Sequence, residues 1–148
     1  MATTQIRPAA RSDLAAVQAL HAQWVDEENT YGLGRLELGV IESWLDGHFL
    51  VAEADGAVVG FVHGAVKATP AVAVVPAGEP YLEIEELYVR PDCRRRGIGG
   101  PLLGAIVARA RESGVERFTV FSAAHDQPGI LRFYERHGFR PWGVQLFR

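Results

Sequence analysis

Residues 81–103 read YLEIEELYVRPDCRRRGIGGPLL. The first nine, 81–89, predict a strand that stops at Arg90-Pro91, and a helix with Leu102 and Leu103 on its apolar stripe follows. Between them lies a turn with glycines and three consecutive arginines, 94–100. Glycines let the backbone approach a ligand, and the free amides of a helix start point toward an anion. This stretch therefore predicts a phosphate-binding turn.

Two familiar phosphate motifs do not fit this turn. A Walker loop needs Lys and then Ser or Thr after its last glycine, and a dinucleotide fingerprint needs Gly or Ala where Leu102 stands. The alternative for the segment taken alone is a solvated basic turn that uses glycine for its shape.

Around this stretch the sequence alternates strand and helix patterns. Ser12 is the predicted N-cap of the first helix, Asp55-Gly56 is a hairpin turn, and Gly138 ends the last helix. The predicted strands are 5–7, 48–54, 57–67, 81–89, 117–121 and a final strand or hairpin in 139–148; the predicted helices are 12–27, a short one around 40–45, one opening at about 100, and 128–137; 69–80 is a loop. Without a repeat or linker, this order predicts one mixed α/β domain over 1–148.

Composition sets the broad class. The chain has 148 residues, 48% of them hydrophobic and 22% charged, which is typical of one globular domain. Its longest apolar run, 71–75, is far shorter than the roughly 18 residues of a membrane helix, and the start lacks a signal-peptide pattern. The single cysteine, Cys93, excludes an internal disulfide. We expect a protein of the cytoplasm that does not bind membranes.

Charge is divided unevenly along the chain. Residues 1–86 hold 13 acidic and 4 basic side chains, whereas 87–148 hold 5 acidic and 11 basic ones. This division suggests two faces, one for an anionic and one for a cationic partner. The alternative is an uneven distribution of solvated charges without function.

Two motifs resemble those of the GCN5-related N-acetyltransferase (GNAT) superfamily. Residues 94–99 match its Arg/Gln-x-x-Gly-x-Gly/Ala pyrophosphate loop, after the strand 81–89. The segment 133–139, FYERHGF, matches its late tyrosine followed by Gly-Phe. The order of elements also follows the family, so the resemblance spans nearly the whole chain. It implies the GNAT fold, a central mixed β-sheet flanked by helices.

The resemblance further implies an acetyl-CoA site without a metal. The strand 81–89 corresponds to the third central strand of the family fold. Its end would offer backbone groups to the pantetheine arm, and the amides of the turn would hold the pyrophosphate. The implied cofactor residues are Leu87, Tyr88, Val89, Arg94, Arg95, Arg96, Gly97, Ile98, Gly99 and Gly100. The family more often has Gly at position 95 and Asn at position 127; Gln127 would take over the contact of that Asn.

Acetyl transfer needs a base, because an amine with a pKa near ~10.4 is almost wholly protonated at pH 7. Strand alternation places Glu83, Glu85 and Leu87 on one face and Ile84 and Glu86 on the other. The resemblance implies that Glu83 lies at the position of the base in histone-acetyltransferase-like members, and Glu85 at the position of a glutamate in polyamine-acetyltransferase-like members. We expect either to act, directly or through water.

The leaving thiolate needs a proton donor, and the family places a tyrosine there, here Tyr134. A purely structural Tyr134 is the alternative. Transfer in the family is direct, so Cys93 would not carry the acyl group. His125-Asp126 is interpreted as part of a loop, and His21 and His63 as residues at the core edge.

The acceptor site of the fold is bordered by acidic segments in this chain. Asp26, Glu27 and Glu28 lie between the first two helices, and Glu86 joins the glutamates of the third central strand. We therefore expect a cationic acceptor such as a polyamine, an aminoglycoside or a basic peptide amine, and a homodimer as in the family. The alternatives are a non-catalytic acyl-CoA sensor and nucleic-acid binding at 94–96, against which the pI of 5.9 argues.

Overall fold

A computed structural model describes residues 3–68 and 72–148. The strands are β1 (Thr4–Pro8), β2 (His48–Ala54), β3 (Ala57–Lys67), β4 (Tyr81–Val89) and β5 (Phe118–Val120); the helices are α1 (Leu14–Asp26), α2 (Leu38–Ser43), α3 (Gly99–Glu112) and α4 (Gln127–Arg136). Of the predicted loop 69–80, residues 69–71 lie outside the described residues, and 72–80 contain only turns and irregular backbone. No helix in the described part of the chain is long and apolar enough to cross a membrane.

The five strands form one sheet in the order β1-β2-β3-β4-β5. The first four are antiparallel neighbours, and only β4 and β5 run parallel. Asp55 and Gly56 have φ values of 53° and 76°, the left-handed backbone that a tight β2–β3 hairpin requires. The mixed α/β sheet predicted from the sequence is confirmed.

Helices cover both faces of the sheet. On one face the buried stripe of α3, 102–110, packs on the inward side chains of β2, β3 and β4, including Leu50, Leu82 and Ile84. On the other face α1 and α2 pack on Phe49, Phe61 and Tyr88. Burial of these apolar faces drives the layered arrangement.

The sheet changes its geometry in the middle of β4. The β3–β4 register shifts between His63 and Gly64, so Glu85 is an extra residue that forms a bulge. The pairing with β5 covers only residues 82–84 of β4. Beyond residue 84 the two strands separate, and a cavity opens between them.

Three predictions of local structure are wrong. Ser12 does not cap α1; it lies in a 3-10 turn (Arg11–Asp13), and the Asp13 carboxylate accepts from the Ala10 amide instead. The bulge breaks the assumed alternation along β4. Residues 139–148 form no strand, and several of their apolar side chains are exposed, Val144 and Leu146 by more than 80%.

Candidate active site

A cavity of about 350 Å³ lies where β4 and β5 separate. Its wall combines β4, the end of β5 with the loop after it, the loop after α1, and one face of α4. The lining residues are Trp24, Asn29, Thr30, Leu33, Ile84, Glu85, Glu86, Leu87, Tyr88, Val89, Arg94, Val120, Phe121, Ser122, Ala123, Ala124, Asp126, Ile130 and Tyr134. An open, largely apolar cleft with a few polar groups is the usual form of a small-molecule site.

Two carboxylates of β4 stand side by side at this cavity. Glu85 and Glu86 both lie within 4 Å of His63 Nδ1, Glu86 at 2.9 Å and Glu85 at 3.7 Å. The Lys67 ammonium is 3.4 Å from Glu85. Because the bulge adds one residue, consecutive side chains share a face here, and the predicted separation of Glu85 from Glu86 is corrected.

Glu83 shares this face of β4 but does not line the cavity. Its carboxylate bonds Lys67, and this contact raises the pKa of the lysine. Of the two candidate bases, the structure therefore brings Glu85 to the cavity and leaves Glu83 beside it.

Tyr134 enters the cavity from α4. The side chain is half-buried against Phe133 and Phe139, and burial raises the pKa of Tyr134 to about 12. Within the described residues its hydroxyl has no hydrogen-bond partner. A phenol in this state stays protonated at neutral pH and presents a free O–H.

The predicted phosphate turn lies at the start of α3. Gly97 has φ +69°, which favours glycine, and the first helical hydrogen bond runs from the Leu102 amide to the Ile98 carbonyl. The amides of Gly99 and Gly100 precede that bond, and no side chain among the described residues caps the helix. The Ile98 side chain is buried, so only its backbone is available to a ligand.

The three arginines of the turn differ in their contacts. Arg94 folds back: its Nε donates to the Val89 carbonyl at 2.9 Å and its Nη2 to Glu27 at 2.7 Å. Arg96 lies 3.7 Å from the sulfur of buried Cys93. Arg95 is exposed and has no side-chain partner in the described part of the chain.

The acidic residues after α1 do not line the cavity. Asp26 pairs with Arg35, and Glu28 adopts a left-handed φ of 52°. Glu27 accepts the Tyr88 hydroxyl at 2.6 Å as well as Arg94. Of the predicted acceptor residues, only Glu86 faces the cavity.

The rim of the cavity joins two loops. The Tyr31 amide donates to the Ala123 carbonyl, and the His125 amide to the Asn29 carbonyl. Gln127 is occupied in the same region, since its Nε2 donates to the Ala124 carbonyl at 2.6 Å. Asp126 caps α4 by accepting from the Gly129 amide.

Sequence reasoning missed His63, which it placed at the core edge. Ligand atoms of His63, Glu85 and Glu86 lie within 4.8 Å of one another, a spacing that a metal ion would accept. The Lys67 ammonium already shares the Glu85 carboxylate, however, and direct attack of an amine on a thioester needs no metal. The signal for this cluster was the Glu-Glu pair, but only the bulge brings it to one histidine.

Proteins similar to this chain show which family it belongs to. The acetyltransferase (GNAT) family profile matches residues 16–139. The chain belongs to the GNAT family. A mycothiol acetyltransferase of Saccharomonospora viridis is 32% identical over 126 residues, 84% of this chain and 40% of that protein. An uncharacterized N-acetyltransferase, YhfO of Bacillus subtilis, is 27% identical, and the match covers 90% of this chain and 88% of YhfO.

Solved GNAT structures share the fold at low identity. Aminoglycoside N-acetyltransferase AAC(6')-Iy in complex with CoA superposes with a TM-score of 0.81 at 19% identity, over 100% of this chain and 95% of that chain. AAC(6')-Ih from Acinetobacter baumannii gives 0.77 at 20% identity, over 99% and 97%. The predicted family and fold are confirmed. The chain spans about two fifths of the length of the mycothiol acetyltransferases that it matches, and its location in the cytoplasm stays a prediction.

Proposed function

We propose that the chain is a single-domain N-acetyltransferase that moves the acetyl group of acetyl-CoA directly to a primary amine of a cationic acceptor. The observation that carries this proposal is one cavity lined by Glu85, Glu86 and Tyr134, next to a glycine turn with free helix-start amides. Relatives of this chain are named mycothiol acetyltransferases, and structural neighbours are named aminoglycoside acetyltransferases.

The cofactor would bind along β4 and the turn. Beyond residue 84, the edge of β4 that faced β5 has no strand partner in the described chain, which leaves backbone groups near Leu87 for the pantetheine arm. The amides of Gly99 and Gly100 would hold the pyrophosphate, with Arg95 as an added charge. Arg94 supports this site indirectly, since it bonds the Val89 carbonyl.

Proton removal from the acceptor falls to Glu85. A water passes one proton from the ammonium to this carboxylate, which returns it to solvent, and the exposed lone pair of nitrogen attacks the thioester carbon. Backbone amides near Val89 polarise the carbonyl oxygen, and the carbon–sulfur bond breaks as the tetrahedral intermediate collapses. Lys67 and His63 hold the carboxylate pair in place.

Tyr134 acts at the sulfur. Since the pKa of Tyr134 is about 12 and that of an ordinary thiol is ~8.5, a hydrogen bond to the departing thiolate is favoured over complete proton transfer. The nitrogen loses its second proton as the intermediate collapses to the amide, and one proton reaches the thiolate through solvent. The tyrosine thus lowers the barrier without losing its own proton at the end of the cycle.

The acceptor charge follows from the cavity. Glu86 is partly buried, whereas Glu85 is exposed, so a cation bound at Glu86 would be screened less than at an open surface. Asp26 and Glu27 are bound to arginines and would act on the acceptor only through the loop that they shape.

A thiol-release assay with acetyl-CoA and a panel of polyamines, aminoglycosides and basic peptides tests the proposal. We expect Glu86→Gln to raise the KM of a cationic acceptor about tenfold and to leave the KM of acetyl-CoA unchanged, and Glu85→Gln to lower kcat as well. Glu112→Gln, on the exposed end of α3, controls for the same loss of charge elsewhere. Equal effects on both substrates, or a larger effect of Glu83→Gln on kcat, would contradict the assignment.

The thiol-release assay, together with binding measurements on acetyl-CoA and an oligonucleotide, separates the alternative functions. Binding of acetyl-CoA without turnover on any amine, unaffected by Tyr134→Phe, would favour the acyl-CoA sensor. Salt-dependent binding of an oligonucleotide in preference to acetyl-CoA would favour the nucleic-acid alternative.

We also propose that two copies associate through the exposed apolar segment 142–147. Trp142, Val144, Leu146 and Phe147 are each more than half exposed there, and β5 is an edge strand of the sheet. Exposed apolar surface and an open strand edge each favour pairing with another chain. Light scattering should give the mass of a dimer, and Val144→Lys with Leu146→Lys should give a monomer.

A further inference from the structure

His63 is held rigidly by aromatic rings. Its imidazole stacks on Trp44 with ring centroids 4.4 Å apart and planes 9° from parallel, and Phe49 meets it edge-on. The residue is buried, with 6% of its surface exposed. The ring therefore has one orientation, and Nδ1 points from β3 toward β4.

That nitrogen faces two acids. The distances are 2.9 Å to Glu86 and 3.7 Å to Glu85. A carboxylate only accepts hydrogen bonds, so Nδ1 carries a hydrogen in this contact. The neutral tautomer meets this need, and so does the imidazolium.

We propose that His63 positions the acceptor-binding carboxylate of Glu86 and that protonation of His63 weakens binding of the cationic acceptor. The inference rests on the proposed function, because it takes Glu85 and Glu86 as the groups that bind the cation. Neutral His63 donates one hydrogen bond to Glu86 and leaves both negative charges to the acceptor. The imidazolium cancels one of them and repels an incoming ammonium.

Other charged groups around His63 do not provide this switch. Lys67, on the same strand, stays positive, since its contacts with Glu83 and Glu85 raise its pKa. His48 on β2 and His21 on α1 are held neutral, because burial lowers the pKa of each. His63 is thus the histidine whose ring nitrogen contacts the carboxylate pair directly.

The expected signature is a pH-dependent affinity for the acceptor alone. A proton that excludes the cation weakens its binding by at most tenfold for each pH unit. We expect the affinity to fall as the pH is lowered from 7.5 to 5.5. The affinity for acetyl-CoA should hardly change, since its anionic part binds at the turn before α3.

Calorimetry with 1,5-diaminopentane as the probe tests this inference. Both of its amines resemble the lysine side chain and stay charged from pH 5.5 to 7.5, so a change in affinity reports on the protein. In His63→Gln the amide can still donate to Glu86 but does not ionise, and the affinity should become flat with pH. His125→Gln changes a histidine at the rim and should keep the pH dependence of the wild type.

The outcomes separate the two proposals. If His63→Gln retains the pH dependence, His63 has no such role, although the cationic acceptor stands. If Glu86→Gln binds the probe at pH 7.5 as well as the wild type does, the acceptor assignment fails, and absence of binding in the wild type overturns both. Should His63→Gln not fold, the wild type still decides: binding at pH 6 must release protons, measured in buffers of different ionisation enthalpy, and no release refutes the inference.

Discussion

Two candidate ligand sites lie along β4, one in the middle of the strand and one in the turn beyond its end, and they are built in different ways. Beyond Val89, the turn before α3 offers backbone amides, whose positions depend on Gly97 in its left-handed conformation and on the start of a helix. In the middle of the strand, the cavity offers the side chains of Glu85 and Glu86, which meet only because one extra residue interrupts the β3–β4 pairing. One site is built from main chain and the other from side chains.

This difference has chemical sense. Solved neighbours of this chain bind CoA, and a backbone site that tolerates side-chain changes suits a ligand shared in this way. An acceptor differs from one enzyme to another, and side chains on a fixed strand can change without loss of the fold. The comparison predicts that variants at the carboxylate pair and variants at the turn will affect the KM of different substrates.

The largest expected effect is on kcat, and it belongs to Tyr134, which lies on α4 rather than on β4 or the turn. Tyr134→Phe removes the hydroxyl at the sulfur and should lower kcat about 10²-fold, a typical loss for one hydrogen-bond donor to a charge that develops in the transition state. Both KM values should stay within about twofold. Steady-state kinetics with varied acetyl-CoA and varied amine give all three constants.

The pH profile of the wild type adds a check on Tyr134. Since burial raises the pKa of Tyr134 to about 12, its protonated form persists above the ordinary tyrosine value and is lost only as the pH rises through the raised one. We therefore expect no alkaline fall in kcat from this group below about pH 10. A large rise in either KM in Tyr134→Phe would mean that Tyr134 also binds a substrate, and would contradict the assignment of acceptor and cofactor binding to the two sites along β4.

Two glycines of β3 provide a matched pair for the second prediction. A Cβ on Gly64 would lie 2.9 Å from the Glu83 carbonyl, and a Cβ on Gly60 would lie 2.9 Å from the Tyr88 carbonyl. Alanine at either site should cost about 1–3 kcal/mol of unfolding free energy, as overpacking does. Gly64→Ala displaces the strand at the bulge and should raise the KM of the acceptor several-fold, whereas Gly60→Ala should raise that of acetyl-CoA.

Denaturant unfolding and kinetics on the same two variants test this pair. The expected pattern is equal destabilisation with opposite selectivity. Variants that impair both substrates alike would mean that β4 moves as one rigid strand, and the bulge would then not separate the two sites.

The sequence predicted the structure of the glycine turn between β4 and α3 better than that of the carboxylate cluster, for a physical reason. Glycines and arginines between a strand and a helix are local signals, and β2, β3 and β4 were predicted with their observed bounds. The bulge depends on pairing between residues distant in sequence, so strict alternation placed Glu85 and Glu86 on opposite faces. His63 and Glu27 gain their contacts only from the folded sheet and loop. Residues 139–148 have an apolar pattern but no strand, because pairing needs a partner as well as a pattern.

The smallest expected effects distinguish Arg95 from Arg94 at the turn. Arg95 is exposed and has no side-chain partner among the described residues, so Arg95→Gln should raise the Kd of CoA a few-fold at low salt and leave the unfolding free energy unchanged. Arg94 ties Glu27 and the Val89 carbonyl together, so Arg94→Gln should lower the unfolding free energy by about 1 kcal/mol. Calorimetric titration with CoA at two salt concentrations and urea unfolding measure the two quantities. If the effect of Arg95→Gln on the Kd of CoA does not depend on salt, the turn holds its ligand by backbone amides alone. If Arg95→Gln lowers the unfolding free energy as much as Arg94→Gln does, Arg95 has a structural role instead. In either case the basic half of the chain has no direct part in binding the cofactor.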